Sequence, residues 1–513
     1  MFSMNVNPYV LFVVAVVVFA IYQRRPRSRL PLPPGPKKAP FVGNYFQLPT
    51  SFEWETYAKW GSDLIHLDAA GTSIIIVNTH KAAVELFEKR SALYSSRVWS
   101  TMVYELVGWS WLFGFMAYGE PWRERRRLFQ QHFHPNEIKI HQPREVEYTH
   151  KMLRRLLDSP ERFMEHIRHM AGAITLALAY GIEIHDLNDP HIEIAEQALV
   201  GLAASAAPGA FLVDSIPILK YVPAWMPGAG FQKKAKEWSE WTRKLLEVPF
   251  AAAQKEIAGG TAKPSFVSLC LSSLNETRDV EHQKKVIKDT AGNFFVGGSD
   301  TTVSAINTFI LAMTCYPEIQ RRAQEEIDRV VAQGQLPDFE DEPSLPYLSA
   351  IVKEVLRWRA ITPLAIPHYL TEDDDYDGYF LPAGSIVAGN AWAILHDKEE
   401  YPDPLEFRPE RFLKDGKLNR DVREPTVAFG FGRRICPGRH IAVSTLWISA
   451  ASILTVYDIS IAMDVHGNPI VPTQEYISSM VMHPAPFKCS ITPRSQEAER
   501  LILSLEDEAS SSS

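Results

Sequence analysis

Between residues 429 and 438 the chain reads Phe-Gly-Phe-Gly-Arg-Arg-Ile-Cys-Pro-Gly and runs straight into an apolar helical pattern from Arg439. Gly430, Gly432 and Gly438 leave the backbone bare beside Cys436, which suits a loop stacked under a large flat ligand. Pro437 fits the first turn of a helix, where no amide donor is needed. The free N–H groups beyond it, with the helix dipole, favour a negative sulfur, so a metal-bound Cys436 would be a thiolate. A buried structural thiol, or a zinc site shared with His440, are the other readings of this cysteine. Neither explains the surrounding glycines and arginines.

Three further patterns accompany the loop. A helical run from Val286 to Met313 carries Gly297-Gly298-Ser299-Asp300-Thr301-Thr302 at its centre. Each glycine there costs about 1 kcal/mol relative to alanine, so a kink or a close approach is expected, and the helix is expected to open. Glu354 and Arg357 lie three apart in a helical segment, with Arg411 in a later Phe-Arg-Pro-Glu-Arg-Phe stretch. Trp122 and Arg126 share a helical face.

Taken together these segments resemble the cytochrome P450 family. Phe429, Gly432, Arg434, Cys436 and Gly438 match its haem-binding signature, Glu354 to Arg357 its Glu-x-x-Arg, and Trp122 with Arg126 its Trp-x-x-x-Arg. The resemblance implies a mainly α fold with a minor β-sheet, one large domain after an N-terminal transmembrane helix. It implies haem b (iron protoporphyrin IX) with Cys436 as its axial ligand, held through Trp122, Arg126, His368 and Arg434, and a buried ion network of Glu354, Arg357 and Arg411. Asp300 and Thr301 would then deliver protons to dioxygen bound opposite the thiolate. By wording such as AWAILHD, FRPERF and HPAPFKC, the chain is most similar to fungal secondary-metabolism members of the family.

The remainder agrees with such a protein. Residues 1–23 hold no charged side chain and are followed by Arg24, Arg25, Arg27 and Arg29, an order that suits a membrane anchor with the chain on the cytosolic side rather than a cleaved signal. Residues 24–45 form a basic, Pro-rich hinge, 46–495 the catalytic domain and 496–513 a mobile polar tail. Helical spacing is clear at Tyr148–Leu157, Ile319–Ala332, Tyr347–Trp358 and Ile441–Tyr457; hairpins are expected at Leu64–Thr79 and Asp377–Val387. With 53 basic and 61 acidic side chains the net charge is −8, which argues against a nucleic-acid partner. Four scattered cysteines suit a reducing compartment.

No nicotinamide-binding fingerprint is found, so electrons would come from NADPH through a separate cytochrome P450 reductase, with cytochrome b5 as a further donor, at the endoplasmic reticulum membrane. Arg123, Arg125, Arg127, Arg433 and Arg439 would form its basic docking face. Family topology places a lipophilic substrate among Trp99, Trp109, Trp111, Phe113, Phe294, Phe295, Leu364 and Ile366. Terpenoids, polyketides and indoles all fit that description. The apolar stretch Pro208–Phe231 reads as a lid against the bilayer or as core. A haem-thiolate isomerase or dehydratase, or a non-catalytic haem protein, are the alternatives to a monooxygenase; Asp300 and Thr301 speak for the monooxygenase, since the others need no protons delivered to oxygen.

Overall fold

The structure is a computed structural model that describes residues 29–184, 187–206 and 209–511. The anchor at 1–23 lies outside the described residues. Helices that frame the site and its surroundings are α1 (Glu120–Phe133), α2 (Gln142–Asp158), α3 (Phe163–Tyr180), α4 (Pro190–Ala206), α5 (Gly230–Gly259), α6 (Val280–Cys315), α7 (Pro346–Trp358), α8 (Arg439–Val456) and α9 (Gln496–Ser511). The strands that bear on the site are β1 (Leu64–Ala69), β2 (Thr72–Val77), β3 (Ser96–Arg97), β4 (His368–Tyr369), β5 (Asp374–Tyr376), β6 (Tyr379–Leu381) and β7 (Ile386–Gly389).

α6 is the central rod. Asp279 caps it by accepting from the His282 amide, and apolar side chains such as Phe295, Ile306, Phe309 and Ile310 are buried along its length. A helix buried on most sides needs neighbours on most sides, and α3, α5, α7 and α8 all pack around it. α8 is apolar and long enough to cross a membrane, yet most of it lies inside the protein as a core helix. The five-stranded sheet has the order β1-β2-β7-β4-β3, with β2 and β7 parallel. Its last pair sets Arg97 opposite His368, which brings both to the site.

Three expectations change. The glycine pair does not open α6, which runs unbroken from Val280 to Cys315. A side-chain carbon on Gly298 would lie 2.5 Å from Cγ2 of Thr175, so that glycine permits the close approach of α3, while Gly297 borders open space. The second hairpin turns at Asp377-Gly378, both at positive φ, joining β5 to β6; β7 instead leaves to pair with β2. Asp-Gly is a strong two-residue hairpin signal, and it sets the turn. Finally, the tail begins as a helix whose Ile502 is fully buried and whose Ala498, Leu501 and Leu505 pack on the core, so residues 496–505 belong to the domain. The described part of the hinge is likewise fastened: the Pro34 and Pro31 carbonyls accept from the His66 and Phe380 amides.

Candidate active site

A cavity of about 280 Å³ is enclosed between α6, α8, the sheet edge and the loop before α8. Cys436 forms part of its wall. The Cys436 amide donates to the Phe429 carbonyl (2.8 Å), which closes the loop, and the amides of Gly438 and Arg439 are hydrogen-bonded to the sulfur. Burial pushes the Cys436 thiol up and outweighs those amides together with the positive charges of Arg126 and Arg439, and a cation bound to the sulfur would favour the thiolate. Gly430 and Gly438 border the cavity, but Gly432 does not. It sits at φ +51° with the Phe87 carbonyl oxygen 2.0 Å from where a side-chain carbon would be, and so lets the loop seat on its neighbour.

Trp122, Arg126, His368 and Arg434 all line the cavity, and Arg97, which the motifs did not announce, joins them. Arg434 donates to the carbonyls of Ser95 and Met116 (2.6 Å each) and stacks 4.4 Å over the Trp122 ring. Arg97 donates to the carbonyls of Gly114 and Ile366. Arg126 has no hydrogen-bond partner among the described residues. Among the described residues, none of the three pairs with a carboxylate. Burial, and after it mutual repulsion, drives Arg434 down to about 8; burial lowers Arg97 to about 9 and Arg126 to about 10. Buried guanidinium charge of this kind is stable only with an anion beside it, and two haem propionates are such anions. The residues present therefore fit a haem. His368 differs, because its Nδ1 already donates to the Tyr94 carbonyl and burial keeps the ring neutral. Its Nε2 would donate only as an imidazolium, with a propionate to balance it.

To the same cavity α6 contributes Gly297, Asp300 and Thr301. The Thr301 hydroxyl donates to the Gly297 carbonyl (2.7 Å). Asp300 Oδ1 accepts from Arg168 and Oδ2 meets His483 Nε2, both at 3.1 Å. Burial raises the Asp300 carboxyl, but the bond and charge of His483 and the charge of Arg168 outweigh it and hold the group below its ordinary value.

A sequence model of the family described as Cytochrome P450 matches residues 33–491. The chain belongs to the cytochrome P450 family. The P450 is 48% identical over 501 residues to cytochrome P450 monooxygenase 98 of Postia placenta, with 96% of each chain covered. It is 47% identical to cytochrome P450 monooxygenase ple1 of Rhodocybe pseudopiperita, covering 92% of this chain and 91% of the relative. It is 45% identical to tryptamine 4-monooxygenase of Psilocybe cyanescens, covering 95% of this chain and 97% of the relative. Family membership makes the chain a monooxygenase that uses haem with a cysteine thiolate ligand and dioxygen.

Around this P450's cavity, Phe113, Phe294 and Ile366 form apolar wall, whereas Trp109, Phe295 and Leu364 do not. Trp109 and Phe295 are fully buried core, Leu364 packs on two smaller clusters, Trp111 lies against Gly292, and Trp99 is 61% exposed. The side that each ring faces depends on the rotation of its element. Of the basic face, Arg125 is withdrawn: its Nη2 pairs with buried Asp289 at 2.7 Å. Arg127 stays largely exposed, Arg123 pairs with Glu120, and Arg433 donates to the Tyr118 hydroxyl.

Outside the cavity, Glu354 and Arg357 are completely buried. Arg357 donates twice to the carboxylate (2.7 and 2.8 Å) and otherwise to the carbonyls of Leu395, Pro404 and Glu406; Arg411 Nε reaches the same carboxylate at 3.1 Å. Against α8 lies another buried carboxyl, Glu145 of α2, bonded among the described residues only by the hydroxyls of Ser444 (2.6 Å) and Thr445 (2.5 Å); burial pushes it up to about 7.

Proposed function

We propose that this P450 oxidises an uncharged lipophilic small molecule, a terpenoid, polyketide or indole of secondary metabolism, with Cys436 as the iron ligand. One observation supports the reading: a single, mostly apolar cavity is lined by Cys436, by three guanidiniums that pair with no carboxylate among the described residues, and by Asp300 and Thr301. When bound, the haem supplies the iron that activates dioxygen for insertion into a substrate C–H bond. Arg97, Arg126 and Arg434 hold its propionates, and Trp122 supports Arg434. Thr301 positions a water beside the reacting oxygen, and Asp300 moves protons to it. Phe113, Phe294, Ile366, Met480 and Val481 hold the substrate and exclude bulk water.

The substrate charge follows from Asp300. Among the described residues lining the cavity it is the one carboxylate, and Arg168 and His483 already neutralise it. A cationic amine therefore finds no free counter-charge, although one relative is named for tryptamine. Membrane anchoring is supported by the 1–23 segment and by the surface at 209–231, where Leu212, Ile218, Tyr221 and Trp225 are exposed in company with Phe41 and Phe46. Reductase-delivered NADPH electrons would enter near Arg127 and Arg439.

The test is spectroscopic. Reduced, carbon monoxide-treated protein should show the band of thiolate ligation, and Cys436→Ala should lose it; a retained band overturns the assignment. Uncharged terpenoids or indoles should shift the Soret band of the ferric enzyme at lower concentration than tryptamine does. A tighter response to the amine would overturn the substrate reading.

A further inference from the structure

The two partners of Asp300 come from elements far apart in the chain and differ in one chemical respect. Arg168, on α3, offers only donor N–H groups, and its Nε is also tied to Glu196 of α4 at 3.0 Å. His483 has two ring nitrogens, so one can hand on a proton while the other takes one up. Its place in the fold is fixed on both sides. Met480 and Val481 line the cavity, the Met482 amide donates to the Ile361 carbonyl (2.8 Å), and the Met482 carbonyl accepts from Ser304 of α6 (2.5 Å). His483 follows immediately, pairs with Ile477 in a short hairpin, and keeps about a fifth of its side chain in solvent. One imidazole thus touches water on one side and the cavity carboxylate on the other.

We propose that His483 is the proton-relay residue that recharges Asp300 from solvent during oxygen activation. In the step, the His483 Nε2–H bond breaks and an Asp300 Oδ2–H bond forms, converting an ion pair into a neutral pair. Asp300 then gives that proton to the Thr301-held water and returns to carboxylate, and His483 takes its replacement from bulk water. No electron moves in these transfers. Arg168 holds the carboxylate in place and, with Glu196 behind it, contributes a charge that does not change. His483 acts through Asp300 and is a positioning residue rather than a catalytic one. The proposal rests on the reading of Asp300 as the cavity acid.

The full-length holoenzyme gives two independent readouts. Histidine C2–H deuterium exchange followed by mass spectrometry across pH reports the titration of His483 itself, and Asp300→Asn should move its midpoint down because the anionic partner is gone. An unmoved midpoint overturns the relay. In reductase-driven turnover, product per NADPH in the wild type should fall as pH rises through that midpoint. His483→Gln keeps a hydrogen bond to Asp300 without a transferable proton; it should lower product formation about 10-fold and flatten the pH profile, with the carbon monoxide spectrum intact. If Asp300→Asn uncouples the enzyme while His483→Gln retains the wild-type pH profile, the relay is wrong and the Asp300 reading stands. If Asp300→Asn leaves coupling unchanged, the Asp300 reading itself fails. Should His483→Gln lose its haem, the exchange measurement on wild type and Asp300→Asn still decides.

Discussion

Two buried clusters of arginine in this P450 are built on opposite plans. In the first, Arg357 and Arg411 converge on Glu354, and every remaining donor of Arg357 finds a backbone carbonyl. In the second, Arg97, Arg126 and Arg434 gather beside the cavity with carbonyls at best and no carboxylate. The first gives both guanidiniums a shared carboxylate within the chain and so holds α7 against the segment around Arg411, although burial still lowers Arg411. The second leaves positive charge that burial penalises, and its arginines are pushed down accordingly. One cluster is complete as folded, and the other becomes complete with a dianionic ligand. Glu145 is a third plan, a buried carboxyl satisfied by hydroxyls alone.

The largest effect is expected where a closed cluster is opened. Glu354→Ala would strand two buried guanidiniums, at a cost of about 3–5 kcal/mol, visible as a large loss of folded protein in denaturant titration. Replacing Glu354 and Arg357 together by apolar residues should cost less; an equal or larger cost would show that the pair contributes more than mutual neutralisation.

Glu145 should make stability pH-dependent. Its folded-state carboxyl titrates at about 7 against an ordinary 4.5, so the folded chain binds the extra proton and stability declines as pH rises across that window. Glu145→Gln should remove the slope and gain up to about 3 kcal/mol at pH 8. A parallel pH profile in the variant would refute this.

The open cluster should respond with opposite signs in two measurements. Arg126→Met removes a buried charge that makes no hydrogen bond, so the haem-free protein should be as stable or more so. The loaded protein should lose haem to an acceptor globin about 10–100-fold faster, or ~1.4–2.7 kcal/mol. Slower loss would mean that the cluster does not hold the ligand. The smallest effect is expected for Arg411→Lys, which keeps the charge but gives up the planar fork shared between Glu354 and three carbonyls: about 1 kcal/mol by thermal unfolding.

Much of this could be read from residues close together in the chain. The Cys436 loop, the Glu354–Arg357 pair and the helical stretches around Tyr148, Asp300 and Ile453 carry local spacing, and local spacing survives folding. The contributions of Arg97, Arg168 and His483 could not be read, because each acquires its place through a partner on another element. Arg97 gave no signal in advance, since its two-residue strand is defined by pairing with β4. Trp109 and Phe295 were legible as apolar but not as cavity-facing, since a small rotation of the element decides between wall and core. Around the glycine pair of α6 the cost was legible but its purpose was not: Thr175, which explains Gly298, sits on α3.

The seating of the cysteine loop governs the order in which the protein can be assembled. Phe431 fills the space that Gly389 leaves bare on β7, where a side-chain carbon would meet its ring at 2.2 Å, and it stacks on Phe87 with ring centroids 5.0 Å apart. Beside it Gly432 abuts the Phe87 carbonyl. These contacts join the first quarter of the chain to the last, so loop-closure entropy places their formation late in folding. A chain emerging from the ribosome has the cavity helix long before it has a seat for the cysteine, and truncation anywhere before residue 438 should leave a partly folded protein unable to retain its prosthetic group.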